Sequence, residues 1–150
     1  CWPPEKFAET GQCLVKSDSC RIALFGTAKE HPVCGQIAAT IGSSAVNLAG
    51  KTSLPDLAAC LSLCKLAITN DSGGMHLAAA AGTTVIAVFG MTDPSKTGPI
   101  GRKHRIVTCE GVTHTRDIKP RSQEAINAIS SIQPGLLIDV AREILSDRTR

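Results

Sequence analysis

Short, continuously apolar segments alternate along the chain with segments of helical periodicity. The apolar runs lie at residues 21–25, 45–48, 66–69, 84–89 and, more weakly, 105–108. Apolar side chains recur at helical spacing over residues 4–16, 30–41, 53–63, 74–81 and 135–146. A strand that is apolar throughout must be covered on both faces, and a helix between successive strands makes their pairing parallel. The sequence therefore predicts an α/β fold with one doubly wound, Rossmann-like parallel sheet.

Composition limits the class of protein further. The 150 residues suit one domain, and a hydrophobic fraction of 43% is enough to bury a core. A net charge of +3 and an aromatic content of 3% argue against a nucleic-acid partner. No apolar run approaches the roughly 20 residues that span a bilayer. The chain begins with Cys1 rather than Met and has no signal peptide, so we expect it to begin inside a longer protein.

Seven cysteines are present, and none of them forms a C-x-x-C motif. Several lie in apolar segments, so we predict reduced cysteines that act as small core residues, as in a cytoplasmic protein. Cys60 and Cys64 are one helical turn apart, and His31 and Cys34 form a looser pair. Neither pair supplies the four ligands of a zinc site, so no metal is expected.

The turns that follow parallel strands are the expected place for a ligand, because such folds bind ligands at the carboxyl ends of their strands. The most informative turn follows the third strand and contains Asp71, Ser72, Gly73, Gly74 and His76. Glycines at a helix start let a phosphate approach free N–H groups at the positive end of the helix dipole. Ser72 can cap the helix or donate to a phosphate oxygen, and His76 can donate one turn later. The alternative is a plain turn, with Asp71 and Ser72 as caps and His76 as a structural residue.

Three other strand ends carry candidate residues. Glu30 suits the hydroxyls of a ribose, although an acid in a first helical turn is an equally simple explanation. Lys51 can meet a phosphate and Thr52 can line a base pocket, unless the lysine is only solvated. Thr92 and Asp93 can reach a ligand from the turn after the fourth strand, unless they only form an Asx turn before Pro94.

Taken together, these motifs resemble those of glycosyltransferase family 9, the lipopolysaccharide heptosyltransferases. The resemblance rests on Trp2-Pro3 and on residues 24–30, 47–54, 69–80 and 89–94, and it extends over essentially the whole chain. The D-S-G-x-x-H element followed by alanines, in register with the L-A-G-K-T element, is its most specific part.

The resemblance implies a GT-B enzyme, in which two Rossmann-like halves face each other across a cleft. Residues 1–150 would be the C-terminal, nucleotide-sugar-binding half, and the N-terminal acceptor half with its catalytic base would be absent. The donor substrate would be ADP-L-glycero-D-manno-heptose, transferred with inversion and without a cofactor or a protein-held metal. By the same resemblance Glu30 would hold the ribose and Thr52 would flank the adenine.

The resemblance also implies that Asp71, Ser72 and Gly73 engage the diphosphate and heptose, with His76 beside them. The half would have no catalytic residue of its own and no activity when isolated. Its partners would be the nucleotide sugar, the N-terminal half and an anionic lipid A–Kdo acceptor. Its location would be cytoplasmic, or peripheral to the inner membrane.

Metal-free transfer needs a cation near the leaving diphosphate. Lys51 or a basic side chain of residues 96–121 is a candidate, because that segment has seven Lys or Arg against two acids. We also hypothesise that this basic segment faces the anionic acceptor, the alternative being a solvated basic loop. Three other functions stay open: a GT-B enzyme that uses a different nucleotide sugar, a sugar-nucleotide epimerase, and a non-catalytic nucleotide-binding module.

Overall fold

The computed structural model describes residues 1–109 and 122–146. The chain divides into two compact units. The first unit is Pro3–Leu57, and the second comprises Cys1–Trp2 and Ala58–Arg150. Each unit contains a parallel sheet, with two strands in the first and three in the second.

The first unit pairs two short strands and packs two helices against each other. Its elements are α1 (Pro4–Asp18), β1 (Ile22–Leu24), a 3-10 turn (Ala28–Glu30), α2 (His31–Ile41) and β2 (Ala45–Asn47). Gly11 lets α1 approach α2 closely, because a Cβ at this position would lie 2.5 Å from Cδ1 of Ile41. Helix α3 (Leu54–Ser62) begins at the end of this unit. Ser53 and Asp56 form the predicted capping box there, with the Asp56 N–H 3.3 Å from the Ser53 hydroxyl.

The second unit is built around a central, fully buried strand. Its elements are β3 (Leu66–Asn70), α4 (Gly73–Ala80), β4 (Thr84–Phe89), α5 (Pro94–Thr97), β5 (Arg105–Thr108), α6 (Gln123–Ser131) and α7 (Pro134–Ser146). The strand order is β3-β4-β5, and every residue of β4 is buried. Met75 of α4 and Leu137 of α7 are fully buried, and both helices contact β3 and β4. These contacts give the unit one apolar core.

The α/β class with parallel strands is confirmed, and the predicted bounds of β4 and β5 agree with the structure. Two details differ. The sequence predicts one sheet, whereas the described strands pair in two sheets. It also predicts no helix at α5 or α6: α5 has only four residues, and the helical spacing of Ile126 and Ile129 in α6 was not recognised. Part of the predicted basic loop, residues 110–121, lies outside the described residues. Within the part of the chain described here, no helix is long and apolar enough to cross a membrane.

Candidate functional site

Helix α4 begins directly after β3 with an N-terminus that no side chain caps. Ser72 occupies the N-cap position in an extended conformation, but its hydroxyl makes no capping hydrogen bond. Among the described residues, a Cβ added at Gly73 would meet no atom within 4 Å, and one at Gly74 would meet only the Ser72 hydroxyl, at 3.6 Å. The space beside these two glycines is therefore open, and no contact within the described part of the chain requires glycine there. His76 follows on the same helix and is exposed.

A cavity of about 410 Å³ lies in the second unit, at the carboxyl ends of β3 and β4. Its lining residues are Cys1, Asn70, Asp71, Val88, Gly90, Met91, Thr92, Asp93, Lys96, Thr97, Ala125, Ile126 and Ile129. The structure thus brings together three predicted residues, Asp71, Thr92 and Asp93. Ser72, Gly73, Gly74 and His76 follow Asp71 along the chain but do not line the cavity. Helix α6 forms one wall, which sequence reasoning missed.

The Asp93 side chain makes two hydrogen bonds and an ion pair at the wall of the cavity. Its Oδ1 accepts hydrogen bonds from the Ser95 N–H, at 3.0 Å, and from the Ser95 hydroxyl, at 2.6 Å. The Lys96 ammonium lies 3.2 Å from Oδ2. These contacts lower the pKa of Asp93 from its ordinary 3.8 to about 2, and the Ser95 bonds contribute more than Lys96 does. Asp93 is thus the N-cap of α5 and is ionised at neutral pH, so the expected Asx turn is present.

Trp2 fixes the start of the chain beside the same strand end. Its side chain is almost fully buried, and its indole N–H donates to the Ile132 carbonyl at 3.1 Å. Its backbone N–H donates to Oδ1 of Asn70 at 2.7 Å. Asn70 therefore positions the wall of the cavity, a role that the sequence reading did not assign. The signal in the sequence was an asparagine at the end of an apolar strand.

In the first unit, the turns after β1 and β2 lie side by side. The Gly50 N–H donates to the Gly26 carbonyl at 2.8 Å. Gly50 has a φ of +72°, and a Cβ there would lie 2.8 Å from Cα of Ala28. Only glycine meets both conditions, because the left-handed conformation and the close backbone approach each exclude a side chain. The two predicted turns of this unit are therefore neighbours.

Glu30 closes the first of these turns as a capping box. Its Oε2 accepts from the Thr27 N–H at 2.7 Å and from the Thr27 hydroxyl at 2.8 Å. Both bonds favour the carboxylate, and they lower the pKa of Glu30 below its ordinary value. In the second turn Lys51 is exposed and Thr52 is half-buried. Glu30 therefore has a structural role in the first turn of the helix, which the sequence left open beside ribose binding. Its second carboxylate oxygen, Oε1, makes neither of the two bonds to Thr27.

Two residues that were not predicted tie these turns to α2. The Asn47 side-chain amide donates to the His31 carbonyl at 2.9 Å, and its Oδ1 accepts from the Ala49 N–H at 3.0 Å. Nδ1 of His31 lies 2.9 Å from the Ala49 carbonyl, which can only accept, so this nitrogen carries the proton. Asn47 and His31 thereby hold the start of α2 against the turn that precedes Lys51.

The basic residues of the segment 102–105 lie at the amino end of the strands of the second sheet, away from the cavity. The Lys103 ammonium donates to the Gly82 carbonyl, just before β4. Nδ1 of His104 accepts from the Val85 N–H at 3.2 Å, at the amino end of β4. Arg102 and Arg105 flank these two residues in the chain and are exposed. Of the basic side chains in the described residues, Lys96 alone lines the cavity.

The cysteine interpretation is right for Cys34 and Cys109, which are buried, whereas Cys1 is exposed. The remaining four are half-buried. In the described ranges, no three His, Cys, Asp or Glu side chains come together as a group that could hold a metal ion.

An uncapped helix N-terminus beside a cavity, at the carboxyl ends of parallel strands, is the arrangement with which Rossmann-like proteins hold phosphate-bearing ligands. The second unit therefore has the architecture of that class. A family model described as glycosyltransferase family 9 (heptosyltransferase) matches residues 1–126. The chain belongs to glycosyltransferase family 9, which confirms the resemblance drawn from its motifs.

Individual relatives agree with this membership. The chain is 30% identical over 150 residues to lipopolysaccharide heptosyltransferase 2 of Salmonella typhimurium, covering 97% of this chain and 43% of the relative. It is 37% identical over 110 residues to lipooligosaccharide heptosyltransferase 2 of Haemophilus influenzae, covering 71% of this chain and 32% of the relative. The chain thus spans less than half the length of these relatives.

Two solved structures share the fold. ADP-heptose heptosyltransferase II of Escherichia coli superposes with a TM-score of 0.81 at 28% identity, covering 96% of this chain and 41% of that one. An Escherichia coli heptosyltransferase solved with ADP superposes with a TM-score of 0.77 at 25% identity, covering 95% of this chain and 39% of that one.

Proposed function

We propose that this chain binds the ADP-heptose donor of a lipopolysaccharide heptosyltransferase. The observation that carries the proposal is the start of α4, where no side chain caps the helix and the space beside Gly73 and Gly74 is open, so that N–H and O–H donors are available to a ligand. Such donors stabilise a diphosphate, whose negative charge grows as the sugar leaves. The solved relative with ADP supports an adenine nucleotide as the ligand.

Each predicted residue has a part in this proposal. Ser72, Gly73 and Gly74 would hold the diphosphate, with His76 donating from one turn further along. Asp71, Thr92 and Asp93 would line the space beside it for the heptose. For the first unit taken by itself, we propose that Oε1 of Glu30 accepts from a ribose hydroxyl while Oε2 stays with Thr27, and that Lys51 and Thr52 form a nucleotide-binding surface.

The reaction of the whole protein forms the second part of the proposal. The full-length enzyme would pair this donor-binding half with an N-terminal half that holds the acceptor and the catalytic base. It would transfer heptose with inversion to the anionic lipid A–Kdo inner core at the cytoplasmic face of the inner membrane, without a metal. The heptosyltransferase relatives support a heptose donor over the other nucleotide sugars and over an epimerase. Without the other half, we expect this chain to bind the donor and not to turn it over.

Calorimetric titration of the chain with ADP, UDP and GDP tests the donor site. We expect selective binding of ADP, and weaker binding in Ser72→Ala, which removes an O–H donor at the start of α4. Ser43→Ala, at an exposed position of the first unit, is the matched control and should bind as the unchanged chain does. Tighter binding of UDP or GDP would assign the donor to another class of nucleotide sugar. No nucleotide binding by the folded chain would contradict the proposal.

A further inference from the structure

Lys96 introduces positive charge into a cavity that otherwise carries acids. Of the residues lining the cavity, Asp71 and Asp93 are acidic and Lys96 is basic. Two carboxylates repel a diphosphate, so such a ligand needs a cation and N–H donors to offset them. The described basic residues that follow, Arg102 to Arg105, lie toward the amino end of β4 and do not line the cavity.

The ion pair between Lys96 and Asp93 can be broken at a small cost in free energy. The lysine side chain is 56% exposed, and an exposed pair of this kind contributes little to stability. The charge of Asp93 does not depend on it, because the Ser95 N–H and hydroxyl stabilise the carboxylate on their own. When Lys96 swings away, Asp93 keeps two hydrogen-bond donors and α5 keeps its cap. The four-carbon stem of lysine allows that movement.

We propose that Lys96 is the cation that reaches from this cavity to the diphosphate at the start of α4, and that Asp93 holds its ammonium group in position and releases it to that ligand. The inference rests on the proposed function and adds a residue that sets the preference for diphosphate over nucleoside. Asp93 is then a positioning residue, and it competes with the ligand for the ammonium group.

Paired titrations with ADP and adenosine test the proposal. In Lys96→Gln, we expect the affinity for ADP to fall about five- to tenfold, as for the loss of one charge-assisted contact at a partly exposed site. The affinity for adenosine should stay the same, because adenosine carries no phosphate. Lys96→Arg keeps the charge and should restore ADP binding to within about twofold.

Two further variants separate this role from general effects of charge. Arg102→Gln removes one positive charge outside the cavity, and it should leave both affinities unchanged. Asp93→Asn keeps an oxygen that can cap α5 but no longer holds the ammonium, so ADP binding should tighten while adenosine binding stays constant.

The outcomes distinguish this inference from the function on which it rests. Unchanged ADP affinity in Lys96→Gln, or an equal loss for ADP and adenosine, would overturn the role of Lys96 while the donor site stands. An equal effect of Arg102→Gln would reduce the role to nonspecific charge and overturn it as well. If the unchanged chain binds neither ADP nor adenosine, the proposed function fails first, and this inference fails with it.

Discussion

Replacing Gly73 by alanine separates a ligand requirement from a folding requirement. The residue begins α4 with a φ outside the left-handed region, and a Cβ there meets no atom of the described residues within 4 Å. Alanine also restricts the unfolded chain more than glycine does. We therefore expect Gly73→Ala to raise the free energy of unfolding by about 0.4–1 kcal/mol. In a chain of this size, that corresponds to a rise in Tm of about 1–4 °C.

Donor binding should change in the opposite direction. The added methyl group would occupy the space through which a phosphate reaches the N–H groups of α4. Loss of one hydrogen bond to a charged group costs about 1.5–3 kcal/mol, which is an affinity loss of about 10- to 100-fold for ADP. Calorimetric titration with ADP measures the affinity, and thermal unfolding followed by circular dichroism measures the stability.

Gly135→Ala is the matched control, because Gly135 also lies in the first turn of a helix and its Cβ would also meet nothing within 4 Å. This variant should show the same small gain in stability and bind ADP unchanged. If Gly73→Ala binds ADP as tightly as the control does, the start of α4 is not the diphosphate site. If Gly73→Ala instead loses stability, the claim that only a ligand requires glycine there is wrong.

Two further predictions concern the turns of the first unit. Gly50→Ala should lower the free energy of unfolding by about 2–5 kcal/mol, because the new side chain is strained in the left-handed conformation and collides with Ala28. Gly42 also has a positive φ, but no atom lies near its Cβ position among the described residues. Gly42→Ala should therefore lower the free energy of unfolding by only about 1–2 kcal/mol. Urea unfolding compares the two, and equal losses would show that the close approach is unimportant. Glu30 has a pKa below its ordinary 4.5 in the folded chain, so its contribution to stability is present above pH 4.5 and is lost as the pH falls through the folded pKa. The Tm of Glu30→Gln should therefore change less with pH below 4.5 than the Tm of the unchanged chain, and Glu143→Gln is the control. Identical plots of Tm against pH for Glu30→Gln and the unchanged chain would contradict the role of the Thr27 bonds.

The order of strands and helices followed from local pattern, because burial on both faces leaves a signal in every residue of a strand. Strand β4 is the clearest case, since all six of its residues are apolar or threonine and all six are buried. The turn that begins at Asp71 was also visible, because glycines at the start of an alanine-rich helix are unusual. The family motifs were visible for the same reason, because each of them is a short run of neighbouring residues.

Contacts between distant residues were not visible in the sequence. The bond from Trp2 to Asn70 joins residues 68 positions apart, and no periodicity records it. Helix α6 became a wall of the cavity only through its packing near Gly90, where a Cβ would lie 3.3 Å from Ile129. The same is true of the network that links Asn47 to His31.

The α/β class, the positions of the strand ends and the glycine-rich start of α4 could be predicted from the sequence, because each depends on neighbours within one or two turns of chain. Which charges share a cavity depends on how the elements pack in three dimensions. Lys96 and Arg102 are both members of one basic stretch of sequence, yet only Lys96 lines the cavity with Asp71. The two residues are separated because the chain crosses from the carboxyl end of β4 to the amino end of β5 between them, and a parallel pair of strands requires that crossing.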